Sequence, residues 1–167
     1  FFPIYFKFLH EAPAIQIIAH RVTCYFIFLI FLIALRKEFS QIIKSLSKKI
    51  ILTYTIAGTL LAINWLTYVW GVNAGFVVET SLGYFINPLV SVVLGVVFLK
   101  EKLRNLQWIP VVLAAIGVIY LAIDHGSLPW IALVLASTFG TYGLFKKIAP
   151  LPSIHGLTVE TGALLIP

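Results

Sequence analysis

Methionine is absent from this chain, cysteine occurs once, and acidic residues number six. Without Met, and with Phe1 at one end and Leu-Leu-Ile-Pro167 inside an apolar run at the other, the sequence is expected to be a fragment cut at both ends. A single cysteine excludes an intramolecular disulfide. Cys24 has no metal-spaced neighbour, and among Tyr, Phe, Ile and Leu it is expected to be a buried apolar thiol. The few acidic residues form no evident carboxylate pair for acid–base chemistry. His-Glu-x-x-His, Gly-x-Ser-x-Gly, a phosphate-cradling Gly loop and paired Cys sets are all missing, so no enzyme activity, cofactor or metal is expected. No charged start followed by a short apolar core and a small-residue cleavage site marks a signal peptide. Charge is scarce as well, at 11% of residues against roughly 25% in soluble domains.

What the chain has instead is apolar surface, 60% of its residues with a mean hydropathy of +1.02. That balance predicts an all-α integral membrane protein in a lipid bilayer, because in lipid each backbone group must be satisfied within its own helix. Apolar runs of about 20 residues give a partial first span ending near Leu9, then spans at 15–35, 50–71, 76–99, 108–123 and 128–145, with a seventh starting near Thr158. The expectation is a polytopic bundle of about six spans plus the start of a seventh.

The connections alternate in charge. Arg36, Lys37, Lys44, Lys48 and Lys49 fall between the second and third spans, Lys100, Lys102 and Arg104 after the fourth, and Lys146 and Lys147 after the sixth. The intervening connections carry His10 and Glu11, then an uncharged turn at 71–75, then Asp124 and His125. By the positive-inside rule the basic connections are cytoplasmic, in a multi-pass protein of the inner or plasma membrane. The net charge of +6 is thus a topology signal spread over separate loops, and no nucleic-acid partner is expected. The longest connection, 36–49, alternates Ile42, Ile43 and Leu46 with Lys and Ser. It reads either as an interfacial amphipathic helix or as a solvated basic loop with apolar anchors.

A weak internal repeat appears on shifting the chain by 137 residues, which lays Phe2, Tyr5, Phe8, Pro13, Ile17 and Val22 on Phe139, Tyr142, Phe145, Pro150, Ile154 and Val159. The sixth span then copies the first. A five-span unit has an odd number of crossings, so a second copy enters the membrane from the opposite side, the inverted-repeat plan of many secondary transporters. The division expected is a first five-span unit at 1–124 and the start of a second at 128–167.

The fourth span concentrates the polar residues. Glu79, Gly83, Asn87, Ser91 and Gly95 recur every four residues as one polar and small ridge, with Pro88 as a helix break inside it. Gly and Ser read as packing positions for a neighbouring backbone. A carboxylate and an amide need more than packing, and Glu79 and Asn87 are candidate pathway residues. Pro88 frees a carbonyl one turn earlier, near Tyr84.

Lys7, His20, Arg21, Asn64 and Glu160 are the remaining intramembrane polar groups. Lys7, Arg21 and Glu79 share the outer half, where they form a charge cluster and outer gate or, in the plainer reading, snorkel to the interface. His20 is a candidate proton shuttle or an interface residue. Asn64 is placed for a midplane site, with interhelical hydrogen bonding as its plainer role, and Trp65 is deep enough to line a pocket. Trp70, Trp108 and Trp130 lie near span ends and read as aromatic-belt anchors, and Ala132, Ala136 and Gly140 as a small-residue packing face.

These residues resemble the RarD-type permeases of the EamA family, in the drug/metabolite transporter superfamily, over essentially the whole chain. The resemblance rests on Pro3-x-Tyr5-x-Lys7, His20-Arg21-Val22, Asn64-Trp65, the block Glu79-x-Ser-Leu-Gly-Tyr-Phe-Ile-Asn-Pro-Leu-Val90, Gln107-Trp108, Gly126-Ser-Leu-Pro129, Tyr142-Gly-Leu and Glu160-Thr161. Thr80 departs from the small Ala typical there. The resemblance implies ten spans in two inverted five-span repeats and a transporter, but no substrate; the first expectation is a secondary transporter that moves small metabolites or drug-like compounds by alternating access. Tyr5, Asn64, Trp65, Tyr84 and Asn87 would line the substrate pathway; Lys7, His20, Arg21 and Glu79 would form the gating cluster, with protons as candidate coupling ion. The competing expectation is a non-transporting membrane assembly or anchor subunit, whose polar groups only bind helices together.

Overall fold

The computed structural model describes residues 13–124 and 129–165. Among these residues the chain is entirely helical: α1 (Ala14–Arg36), α2 (Phe39–Ser45), α3 (Lys48–Asn73), α4 (Val77–Leu99), α5 (Asn105–Asp124), α6 (Trp130–Ile148) and α7 (Ser153–Leu164). Four of them, α1, α3, α4 and α6, are long and apolar enough to cross a membrane. The expected first span lies outside the described residues, and with it Tyr5, Lys7, His10 and Glu11; His125 does too. The fifth expected span is α5, whose apolar helix over Asn105–Tyr120 is shorter than the other four. The seventh begins at Ser153, five residues ahead of Thr158, because its first turn carries the polar His155 and Gly156 and reads as loop on hydropathy alone.

Charges and caps punctuate the helices. Lys37 and Lys100 end α1 and α4 in the left-handed conformation, with φ of 56° and 54°, each placing a cation at the negative end of a helix dipole. Ser47 caps α3 by accepting a hydrogen bond from the Ile50 amide at 3.3 Å. The 36–49 connection contains the short helix α2, which buries Ile42 and leaves Ile43 exposed. Gly75, at φ 88°, makes the tight reversal from α3 into α4.

The centre of the bundle is α6, which packs on both α3 and α4, while α7 packs against α3 and α1. One core joins Ile18 and Val22 of α1, Tyr68, Val69 and Val72 of α3 and Ile131 and Leu135 of α6. A second joins Ile86 of α4 to Ala132 and Ala136 of α6, both fully buried. Two glycines permit the α4–α6 approach. A Cβ on Gly83 would stand 2.9 Å from Leu135 Cβ, and one on Gly140 would stand 2.8 Å from Val90 Cγ1. Close backbone contact through small residues is how helices associate where lipid removes any hydrophobic drive. Large apolar side chains such as Phe28, Phe31, Phe85, Phe98 and Ile119 point outward.

Two expectations from the sequence are corrected here. Cys24 is exposed on α1, since apolar neighbours in a membrane helix do not distinguish a protein-facing position from a lipid-facing one. Helix α4 continues through Pro88 from Val77 to Leu99; proline there removes a hydrogen bond to the preceding turn and crowds its carbonyl without ending the helix.

Candidate functional site

Helix α4 carries the polar ridge, and its geometry separates the five ridge residues. Steps of four residues drift about 40° around a helix, so the ridge meets α6 only part of the way. Gly83 is buried against α6 and Asn87 is half-buried, but Ser91 is exposed. Gly95 is buried beneath its own loop: a Cβ there would stand 2.7 Å from Glu101 Oε2. Ser91 Oγ reaches back to Asn87 Oδ1 at 3.5 Å.

Opposite Asn87, helix α3 presents Asn64. Its amide nitrogen donates to the Leu135 carbonyl at 2.8 Å and to Thr138 Oγ1 at 3.0 Å, both on α6. Asn64, Tyr84 and Asn87 line one partly open cavity together with Gly83, Leu135 and Phe139, with a volume of about 10 Å³, the space of a single water; Tyr84 is also largely exposed. Three of the five expected pathway residues thus meet at the junction of α3, α4 and α6. A fourth, Trp65, turns from that cavity toward α1, and Tyr5 lies outside the described residues.

An aromatic and cationic cluster continues from the cavity. Tyr84 meets the edge of Tyr68 at 5.7 Å between ring centroids. The Arg21 guanidinium sits 4.3 Å from the Trp65 ring centroid and 5.5 Å from that of Tyr25. These distances lie within cation–π range, and they give a cation inside an apolar bundle a favourable seat without a carboxylate.

Of the expected charge cluster, His20, Arg21 and Glu79 fall within the described residues. Among the described residues Arg21 and Glu79 form no ion pair, Arg21 being taken up by Trp65 and Tyr25. Glu79 is half-buried, and its Oε2 atom is buried without a hydrogen-bond partner among the described residues. His20 is exposed, Lys7 lies outside the described residues, and Pro88 is exposed on the far side of α4. Trp70 and Trp130 meet at one end of the bundle with ring centroids 5.6 Å apart and planes tilted by 44°.

A second polar cluster, at the opposite end, was not assembled by the sequence reading. Glu160 of α7 is 1% exposed and pairs with Lys146 Nζ of α6 at 2.9 Å, while the Tyr142 hydroxyl donates to its other oxygen at 3.3 Å. Lys146 Nζ also lies 5.5 Å from the centroid of the Tyr54 ring on α3. The Tyr54 hydroxyl accepts from the Leu151 amide at 3.0 Å, which ties α3 to the α6–α7 connection. His155 Nε2 lies 2.8 Å from Glu38 Oε2, and Lys147 pairs with Glu101. The available signal was an intramembrane acid, Glu160, one helical hairpin away from two lysines.

Comparison with known proteins places these observations. The model of the EamA-like transporter family matches residues 1–123. The chain is 49% identical over 164 residues to the "Uncharacterized transporter YojE" of Bacillus subtilis, covering 96% of this chain and 55% of that protein. It is 46% identical over 167 residues to the "Uncharacterized transporter PA0485" of Pseudomonas aeruginosa, covering 98% and 55%. It is 41% identical over 165 residues to "Protein RarD" of Escherichia coli, again covering 98% and 55%. The chain therefore spans about half the length of the curated relatives it matches. No solved structure matches it.

Proposed function

The chain belongs to the EamA-like transporter family, and on that footing we propose that it forms part of a secondary transporter of the cell membrane, moving small metabolites or drug-like compounds by alternating access. The observation that carries this reading is the convergence of Asn64, Tyr84 and Asn87 on one small, partly open cavity between α3, α4 and α6. Their amides and hydroxyl can hydrogen-bond a substrate where lipid offers nothing. Residues 1–124 are the first five-span repeat and 128–167 the start of an inverted second, so the pathway lies between the two repeats. With basic connections on the cytoplasmic side, Glu79 and Arg21 belong to the outer end, where Glu79, whose buried Oε2 has no hydrogen-bond partner among the described residues, is the candidate proton-coupling group.

Alternating access is tested by labelling. A single cysteine at Asn87→Cys, in a cysteine-free background of the full-length protein that includes Cys24→Ser, is expected to react with a membrane-impermeant maleimide from either side of the membrane, depending on conformation. Reaction from one side only, or from neither, contradicts the pathway assignment.

A second reading is favoured by the two hydrogen bonds of Asn64 to α6, which satisfy its amide nitrogen by packing alone. In that reading the protein is a non-transporting assembly or anchor subunit. It predicts that substitutions at Glu79 and Asn87 lower folded yield without altering any flux, and that the protein copurifies with a partner.

A further inference from the structure

The cluster around Glu160 has the chemistry of a cation site that is already filled from within. The carboxylate is buried between three helices. Lys146 and Tyr142 of α6 engage its two oxygens, and α3 runs close to the α7 backbone here, where a Cβ on Gly58 would stand 3.1 Å from the backbone carbonyl oxygen of Glu160. The Lys146 ammonium rests 5.5 Å from the Tyr54 ring centroid and 6.0 Å from that of Tyr142. A carboxylate with two aromatic faces at such distances is the arrangement that recognises an ammonium group.

The occupant is held less firmly than the site. Lys146 stands in the last turn of α6, its side chain 25% exposed, whereas that of Glu160 is 1% exposed. Its flexible four-carbon stem delivers a point charge without the bidentate lock an arginine would supply. Tyr142 engages the second oxygen, independently of the one that Lys146 holds. A carboxylate this deeply buried is strongly destabilising without a counter-ion, so departure of Lys146 is matched either by protonation of Glu160 or by arrival of another cation.

We propose that Glu160, between the rings of Tyr54 and Tyr142, is a recognition site for primary alkylammonium groups, occupied in this conformation by the chain's own Lys146. The inference rests on the transporter reading and deepens it: the compounds carried are small amines or amino-bearing molecules whose ammonium group displaces Lys146 at this end of the bundle.

The test uses the full-length protein in nanodiscs and n-propylammonium, which replaces the atoms of the lysine side chain beyond Cβ. Saturable binding of labelled n-propylammonium is expected in wild type. It should tighten by about tenfold or more in Lys146→Ala, because an internal competitor weakens apparent affinity by the fraction of time it occupies the site. Binding is expected to vanish in Lys146→Ala/Glu160→Gln, and sodium at matched ionic strength should not compete. Equal binding in the double variant, or none in either wild type or Lys146→Ala, overturns the proposal. Should Lys146→Ala fail to fold, Glu160→Gln decides alone: loss of the wild-type binding supports the site, and retention overturns it. Ammonium binding without flux of any compound contradicts the transporter reading and leaves the site standing. Flux of a neutral compound without ammonium binding does the reverse.

Discussion

The side-chain amide of Asn64 donates to the backbone carbonyl of Leu135 at 2.8 Å, so α3 and α6 are joined by a hydrogen bond inside the apolar core of the bundle. The same amide borders the cavity shared with Tyr84 and Asn87, which makes one residue answerable to both packing and binding. Asn64→Ala removes the bond and the Thr138 contact together. A loss of about 1 kcal/mol is expected, in line with interhelical hydrogen bonds in membranes, read as a lower melting midpoint of the purified protein. A change at Asn64 that leaves stability untouched would show that α3 and α6 are held elsewhere.

Gly83 and Gly140 are expected to be intolerant of bulk. The shortest new contact of an added Cβ falls on the Leu135 Cβ for Gly83 and on the Val90 side chain for Gly140, and overpacking of this kind costs about 1–3 kcal/mol. Gly83→Val should lower the melting midpoint more than Gly117→Val, since a Cβ at Gly117 meets nothing within 4 Å. Equal effects at the two positions would contradict the close approach of α4 and α6.

Arg21 is expected to act through Trp65. Arg21→Ala removes a cation–π contact of about 0.5–2 kcal/mol, and the same substitution in a Trp65→Leu background should then cost clearly less. A double-mutant cycle on melting midpoints measures the difference. Additive effects would mean that Arg21 is held by something other than the ring.

Tyr54 stands over Gly156, where an added Cβ would come within 2.6 Å of Tyr54 Cε1. Gly156→Ala is expected to displace Tyr54 from the Leu151 amide and to destabilise the α3–α7 contact, and Tyr54→Phe to lose the hydrogen bond while keeping the ring. Melting midpoints of the two variants should fall in that order, with Gly156→Ala the lower.

The helices themselves were legible because charge and apolar length bound them: Arg36, Lys100 and the pair Lys146 and Lys147 close α1, α4 and α6 within a few residues of where hydropathy ends the runs. Which face of a helix meets protein was not legible. Ser91 and Cys24 sit among apolar neighbours like any core position, yet both are exposed, because lipid and protein interior present the same hydrophobic environment to a side chain. Asn64 and Asn87, each singled out in the sequence as a polar group inside an apolar span, border the same small cavity. The Glu160 cluster was not legible, because Lys146 counts as a loop charge in any topology argument while its stem folds back to reach the acid.

Flux through the full-length protein in proteoliposomes tests the central claim most directly. The account predicts transport of a small solute that responds to an imposed pH gradient, falls steeply in Asn87→Ala, and loses its pH response in Glu79→Gln while folded yield is maintained. Wild-type flux that both variants reproduce in full, with the pH response intact, would contradict it.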